Sequence, residues 1–421
     1  AALAAQPSDG QQRRRVGRLA AGHHAEAIVE DPAALPRAII RLLEVGGDSA
    51  LVLLVRFDAH DEPIVVAASS AVMATSVDVV RALPAVREAL VRAWDAREPW
   101  VGRWPAGPDD VAVDASLAGA GVTAAGYLPL SHGAGTIGLV IVGLAGRAED
   151  GLGVLAERMP ILAEVANLAG SLLGPEFARI DARAVAAIRL DRILASAAFR
   201  PVFQPISELA TGRVVGCEAL TRFEGTTPDE VFAEATLLGR LQDLEVATLA
   251  AALEAAERLP PDRWLSVNVS ATLLADTATL RRLIGQSLRP IVLELSEHEL
   301  VHDYRPLTTS MKRMAPFVTL AIDDAGAGFS SLRHILEASP SWVKLDIGLV
   351  RGVDRDPARQ ALVAGLVHFA QRTGIALIAE GIETASEVAM LRSLGVSLGQ
   401  GFFLARPTPI DEKLIRALAE R

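Results

Sequence analysis

Apolar and polar positions change rhythm once along the chain, near residue 200. Before that point, strand-length apolar runs come in pairs. Runs at 50–57 and 63–69 flank the polar stretch Asp58-Ala59-His60-Asp61-Glu62, and runs at 122–130 and 135–143 flank Ser131-His132-Gly133-Ala134. Both connections are of hairpin type. Helical spacing marks 36–44, 84–97 (Val86, Leu90 and Val91 on one face) and a long amphipathic stretch at 153–173. Gly174-Pro175 punctuates the chain, and a second helical stretch follows at 184–197. Hairpins with interspersed helices predict an α+β domain on an antiparallel sheet over 31–176. Residues 1–30 read as a flexible segment and 177–200 as a linker helix.

From Pro201 short apolar strands alternate with helices. The strands are predicted at 202–206, 213–220, 264–269, 291–295, 318–322, 342–345, 376–379 and 397–402. The helices are predicted at 240–258, 277–287, 306–314, 358–372 and 385–394. Eight strands with repeated crossovers predict an α/β fold, a (β/α)8 barrel of TIM type over 201–421. Only Glu208-Leu209-Ala210-Thr211-Gly212 joins the first two strands, too short for a helical crossover. Those two strands are therefore expected to be antiparallel and the barrel irregular.

Composition narrows the function. At 421 residues the chain has room for two or three domains. A formal charge of −10 disfavours broad nucleic-acid binding. The single cysteine, Cys217, excludes a disulfide framework or a Cys-rich zinc site and fits a reducing compartment. No apolar run reaches the length of a membrane span. The Ala-rich start runs into Gln11-Gln12-Arg13-Arg14-Arg15, the reverse order of a secretory signal. The expectation is a cytoplasmic protein.

The predicted barrel strands end on polar residues: Glu218, Asn268, Glu294, Asp323-Asp324, Lys344, Glu380 and Gln400. In such a barrel the C-terminal strand ends converge on the face that carries the chemistry. Any one of these residues, taken alone, reads as a solvated surface group, an ion pair or a helix cap. Together, five carboxylates in one place carry a formal charge of about −5, which needs compensation. Two divalent cations plus Lys344, one of only three lysines, supply about +5. Oxygen donors with an asparagine and no histidine favour Mg2+ or Mn2+ over Zn2+.

Gln204-Pro205-Ile206 followed by Glu218-Ala219-Leu220-Thr221-Arg222-Phe223 resembles the opening of an EAL domain. The resemblance runs from about residue 185 to the C-terminus. It takes in Asn268, Glu294, Asp323-Asp324, Lys344-Leu345-Asp346, Ala379-Glu380-Gly381-Ile382-Glu383-Thr384 and Gln400-Gly401-Phe402. It implies hydrolysis of the bacterial second messenger cyclic di-GMP to linear pGpG at a two-metal centre, with Ca2+ inhibitory. By the same resemblance, Glu218, Asn268, Glu294 and Asp323 hold one metal, and Asp323, Asp324 and Glu380 the second. Lys344 positions the attacking water, Glu380 also helps remove its proton, and a ribose 3′ oxygen leaves phosphorus. Gln204, Leu220, Arg222 and Gln400 hold the dinucleotide, and Glu297 anchors the loop after Asp323-Asp324. A homodimer is expected.

That loop reads Asp323-Asp324-Ala325-Gly326-Ala327-Gly328, where the family usually has Asp-Asp-Phe-Gly-Thr-Gly. Lost packing at Ala325 is expected to loosen the loop and lower turnover. The alternative is a weak or inactive EAL domain serving as a cyclic di-GMP receptor or as a protein-interaction module.

His298-Glu299-Leu300-Val301-His302 matches the H-E-x-x-H zinc protease pattern. Pro306 would cut such a helix short, no third histidine of the metzincin type follows, and a chance match is the better reading. The element order over 31–176 resembles a GAF domain, a sensory module that would receive a small-molecule or protein signal, with a PAS-like module as the alternative. His60 and His132 read as ordinary loop histidines rather than haem ligands. A purely dimerising module fits the same pattern.

Overall fold

The structure is a computed structural model. It describes residues 34–45, 49–57, 63–69, 91–92, 97–104, 121–133, 135–285, 287, 289–296, 301, 303–314, 318–325 and 335–419. Outside these lie the expected flexible start, most of the helix expected at 84–97, His60, Glu297, four of the five H-E-x-x-H residues and the loop positions 326–328. The chain divides into two compact units, 1–185 and 186–421.

Among the described residues, the first unit is built on five antiparallel strands: β1 (Ser49–Phe57), β2 (Pro63–Ala68), β3 (Trp100–Arg103), β4 (Val122–His132) and β5 (Gly135–Ala145), in the order β2-β1-β5-β4-β3. β4 and β5 form the expected hairpin, with Tyr127 opposite Ile141. Alternation along β1 separates two apolar layers. Leu51, Leu53 and Val55 pack with Trp104, Tyr127 and Ile141 on one face. Val52 and Leu54 pack with Leu128, Val140, Leu155 and Leu173 on the other.

A single helix, Ala148–Ser196, replaces the two helices expected from the sequence. Gly174 does not terminate it. A Cβ at Gly174 would lie 2.2 Å from the His132 ring, and one at Gly170 would lie 2.4 Å from the Ser131 carbonyl oxygen. Both glycines permit close passage over the β4–β5 turn. Pro175 removes one N–H from the helical ladder. The buried side chains of Leu173 and Phe177 flank it and hold the helix to the sheet core.

The second unit is the expected barrel. Its strands are β6 (Phe199–Glu208), β7 (Val214–Phe223), β8 (Trp264–Asn268), β9 (Ile291–Ser296), β10 (Val318–Ala325), β11 (Trp342–Leu345), β12 (Ala376–Ala379) and β13 (Leu398–Gly399). They close in the order β10-β11-β12-β13-β6-β7-β8-β9. β6 runs antiparallel to both neighbours, and the remaining pairs are parallel. The sequence does not reveal the helix Pro228–Leu238 by apolar period. It carries a capping box between Thr227 and Glu230, Pro at its start and a left-handed Gly239 at its end.

Period-two alternation sorts the barrel strands. Leu265, Val267, Leu293, Leu295, Leu320, Ile322, Val343 and Leu345 pack outward into the main apolar cluster. Burying each such side chain contributes roughly 1.5–3 kcal/mol. The inward residues form a second, smaller cluster of Ile206, Ile378 and Leu398 with Val215, Trp264 and Trp342. Trp264 and Trp342 stack with centroids 5.2 Å apart. Trp342, Ile378 and Leu398 each lie two residues before Lys344, Glu380 and Gln400 on their own chain segments. The apolar cluster therefore forms the floor beneath the polar strand ends.

Candidate metal centre at the barrel mouth

Lys344 is 1 % exposed at the centre of the barrel mouth. Its Nζ lies 2.8 Å from Glu380, 2.9 Å from Glu294, 3.1 Å from Asp323 and 3.5 Å from Glu218. Asn268 donates to Glu218 Oε1 at 3.0 Å. Gln400 donates through Nε2 to both Glu218 (2.7 Å) and Glu380 (2.8 Å). Gln204 donates to the Ala405 carbonyl oxygen at 3.1 Å. It sits opposite Glu218 on the β6–β7 ladder.

Electrostatics follow from this packing. Burial pushes Glu294 and Glu380 well above the usual carboxylate range, and neighbouring carboxylates add to the effect. Burial acts the same way on Glu218, but the Lys344 charge and the amides of Gln400 and Asn268 outweigh it and hold that pKa low. Burial alone would discharge Lys344, yet Glu218, Glu294, Glu380 and Asp323 raise its pKa well above the ordinary lysine value. Lys344 is therefore a fixed cation.

Two sets of carboxylate oxygens lie within 4.8 Å of one another: Glu218, Glu294 and Asp323, and Asp323, Asp324 and Glu380. Asp323 is common to both. Such oxygen-only groups fit hard divalent cations. The buried Gln400 Oε1 has no hydrogen-bond partner and adds an unused acceptor at the same place.

Five carboxylates, the asparagine, the lysine and Gln400 thus come together at the mouth. Leu220 and Arg222 lie farther along β7 on the same face as Glu218. Glu297 lies outside the described residues. Ala325 is 2 % exposed within the main apolar cluster. It pairs with Leu345, and its carbonyl oxygen accepts from the Asp346 N–H. At Ala325 itself the backbone is tied into the barrel.

Two participants were not legible as site residues in the sequence. Ser266 is fully buried and donates its hydroxyl to Glu294. Its signal was its place two residues before Asn268 on the same inward face. Glu245, on the helix Leu241–Ala256, accepts from the Ser270 N–H (2.5 Å) and hydroxyl (2.7 Å), which anchors the chain just beyond Asn268. Cys217 faces away into the apolar cluster, where burial raises its thiol to about 12.

The family model described as EAL domain matches residues 187–407. An uncharacterized protein of Mycobacterium bovis is 33% identical over 236 residues, covering 50% of this chain and 75% of its own length. A Pseudomonas aeruginosa protein named cyclic di-GMP phosphodiesterase PA2567 is 30% identical over 226 residues, covering 50% of this chain and 38% of its own. The solved EAL enzyme Bd1971, with cAMP and cyclic di-GMP bound, is similar in fold with a TM-score of 0.52 and 16% identity. That likeness covers 89% of this chain and 96% of that one.

Proposed function

The chain belongs to the EAL-domain family, and from this premise we propose that it hydrolyses cyclic di-GMP to linear pGpG in a reaction dependent on divalent cations. The observation that carries this reading is the pair of three-carboxylate groups sharing Asp323 around Lys344. A relative carries the name of a cyclic di-GMP phosphodiesterase, which supports the choice of substrate.

Glu218, Asn268, Glu294 and Asp323 would hold one cation, and Asp323, Asp324 and Glu380 the other. Mg2+ or Mn2+ suits these oxygen donors, with Ca2+ inhibitory. Bound cations supply Lewis-acid activation of water and of the phosphoryl group. Glu380, in the carboxylate group with Asp323 and Asp324, would take a proton from the attacking water. Water adds to phosphorus, its proton passes to the protein, and the ribose 3′ oxygen leaves and is reprotonated. Lys344 offsets charge beside the developing oxyanion. Gln204, Leu220, Arg222 and Gln400 hold the dinucleotide. The N-terminal sheet unit serves as a GAF-like sensory or dimerisation module.

The test is incubation of the purified chain with cyclic di-GMP and Mg2+, Mn2+ or Ca2+, followed by chromatography, with Glu218→Ala as the control. Metal-dependent pGpG that disappears in the control supports the enzyme. Tight binding with no product identifies a receptor instead, a reading favoured by Ala325 and Ala327 in the loop.

A further inference from the structure

Three rungs of the β6–β7 ladder follow one another away from the carboxylate centre: Gln204 opposite Glu218, Val202 opposite Leu220, and Arg200 opposite Arg222. Period-two alternation puts all six residues on one face. The first rung belongs to the centre itself, since Glu218 accepts from Asn268 and Gln400. The second rung is apolar. The third sets two arginines directly opposite each other.

Like charges directly opposite on a ladder repel each other. Among the described residues, neither arginine pairs with a carboxylate, and Arg222 donates only to the neighbouring Thr221 carbonyl oxygen, at 2.8 Å. Both arginines line an open cleft of about 450 Å³ with Ala198, Phe199, Phe223 and Glu224. The end of the ladder is held firmly. Phe199 and Phe223 meet edge to face at 6.1 Å, Phe223 meets Phe232 at 6.1 Å, and the group packs on Leu190, Ile193 and Val231. Glu224 shares the cleft without pairing to either arginine, and two unpaired guanidiniums on a firmly held ladder end are suited to one phosphate.

Spacing links the two arginines to the centre. Arg222 lies four residues beyond Glu218, a backbone distance of about 13 Å, and each guanidinium can reach back across part of it. A cyclic dinucleotide carries two phosphodiesters. With one held at the carboxylate centre, the other would fall toward the arginine rung, and the apolar Val202–Leu220 rung would lie beneath the part of the ligand between them.

We infer that Arg200 acts with Arg222 to grip the phosphate that is not being cleaved, so that Arg200 is a further substrate-binding residue. This rests on the function proposed above. The experiment is steady-state hydrolysis of cyclic di-GMP by the full chain, comparing wild type with Arg200→Ala and Arg200→Lys at low and high salt. For Arg200→Ala the expected result is a KM raised about tenfold, with kcat changed less than twofold and a weaker salt dependence of KM. Arg200→Lys recovers part of the KM. A KM unchanged in Arg200→Ala, or a loss confined to kcat, overturns the inference while leaving the enzyme reading intact. Wild type that neither binds nor cleaves cyclic di-GMP overturns both.

Discussion

Asp323 and Asp324 are consecutive residues of one strand, yet both present carboxylate oxygens to the same cluster with Glu380. Regular alternation would send them to opposite faces. The β10–β11 register shifts between Ile322 and Ala325, and Asp324 takes a left-handed φ of +59°. Asp323 Oδ1 accepts the Asp324 N–H at 3.0 Å and steadies the bulge. Aspartate and asparagine tolerate this conformation far better than a β-branched residue. Asp324→Asn is expected to stay within about 0.5 kcal/mol of wild-type stability and to lose Mn2+ affinity by calorimetric titration. Asp324→Val is expected to cost a further 1–2 kcal/mol or so in urea unfolding. Equal stability of the two variants would contradict the assignment of backbone strain to this position.

Among the described residues, Lys344 is the one cation within ion-pair distance of Glu218, Glu294, Asp323 and Glu380. Lys344→Met leaves buried carboxylates uncompensated, at a cost of about 3–5 kcal/mol in metal-free buffer. Thermal unfolding in EDTA should show a Tm lower by roughly 10 °C. Added Mn2+ should stabilise the variant more than wild type, because cations then replace the missing positive charge. An equal Mn2+ increment in both proteins would remove the charge-balance argument.

The close passage at Gly174 makes a directional prediction within one helix. Gly174→Ala forces a methyl group into the His132 ring and should destabilise by about 1–3 kcal/mol. A Cβ at Gly153 in the same helix meets nothing within 4 Å. Gly153→Ala should therefore stabilise by about 0.5–1 kcal/mol through its helix propensity. Denaturant midpoints for the two variants check the sign. Movement of both in the same direction would refute the packing explanation.

Glu387 is buried and closes a turn around the Glu380 loop. It accepts the N–H groups of Gly352 (2.9 Å), Glu383 (2.9 Å) and Thr384 (3.0 Å). Burial opposes its charge, but these hydrogen bonds prevail and hold the pKa below the ordinary value. A carboxylate depressed in the folded state contributes stability above its unfolded pKa, and that stability is lost as pH falls through the folded value. Glu387→Gln should cost about 1–2 kcal/mol at neutral pH. Urea unfolding across pH should show the gap to wild type closing below about pH 4. A gap constant down to pH 3 would mean the charge is not what Glu387 contributes.

Much of the barrel was readable because its strand interiors, Leu265 and Val267 or Leu293 and Leu295, are apolar where they pack outward, while their inward partners turn polar at the C-terminal ends. The short link between β6 and β7 announced their antiparallel pairing through chain length alone. Gly174-Pro175 misled for a physical reason. The same residue types that end helices also allow close approach, and only the location of His132 separates the two uses. Ser266 and Glu245 escaped notice because a serine in a strand and a glutamate in a helix carry no local mark of function.

The sequence by itself determined which residue types stand at the strand ends, how far apart they lie and how the strands alternate with helices. Spacing and hydrophobic period are local quantities that survive without coordinates. Only the tertiary structure decided which oxygens meet. Closure of the barrel brings Glu218 and Gln400, 182 positions apart, within 2.7 Å. A bulge at Asp324 turns a second carboxylate inward. Burial then holds Glu294 and Glu380 high, while the Lys344 charge and the amides of Gln400 and Asn268 overcome burial and hold Glu218 low. These outcomes depend on a low-dielectric interior and on contacts between distant segments, neither of which any window of sequence contains.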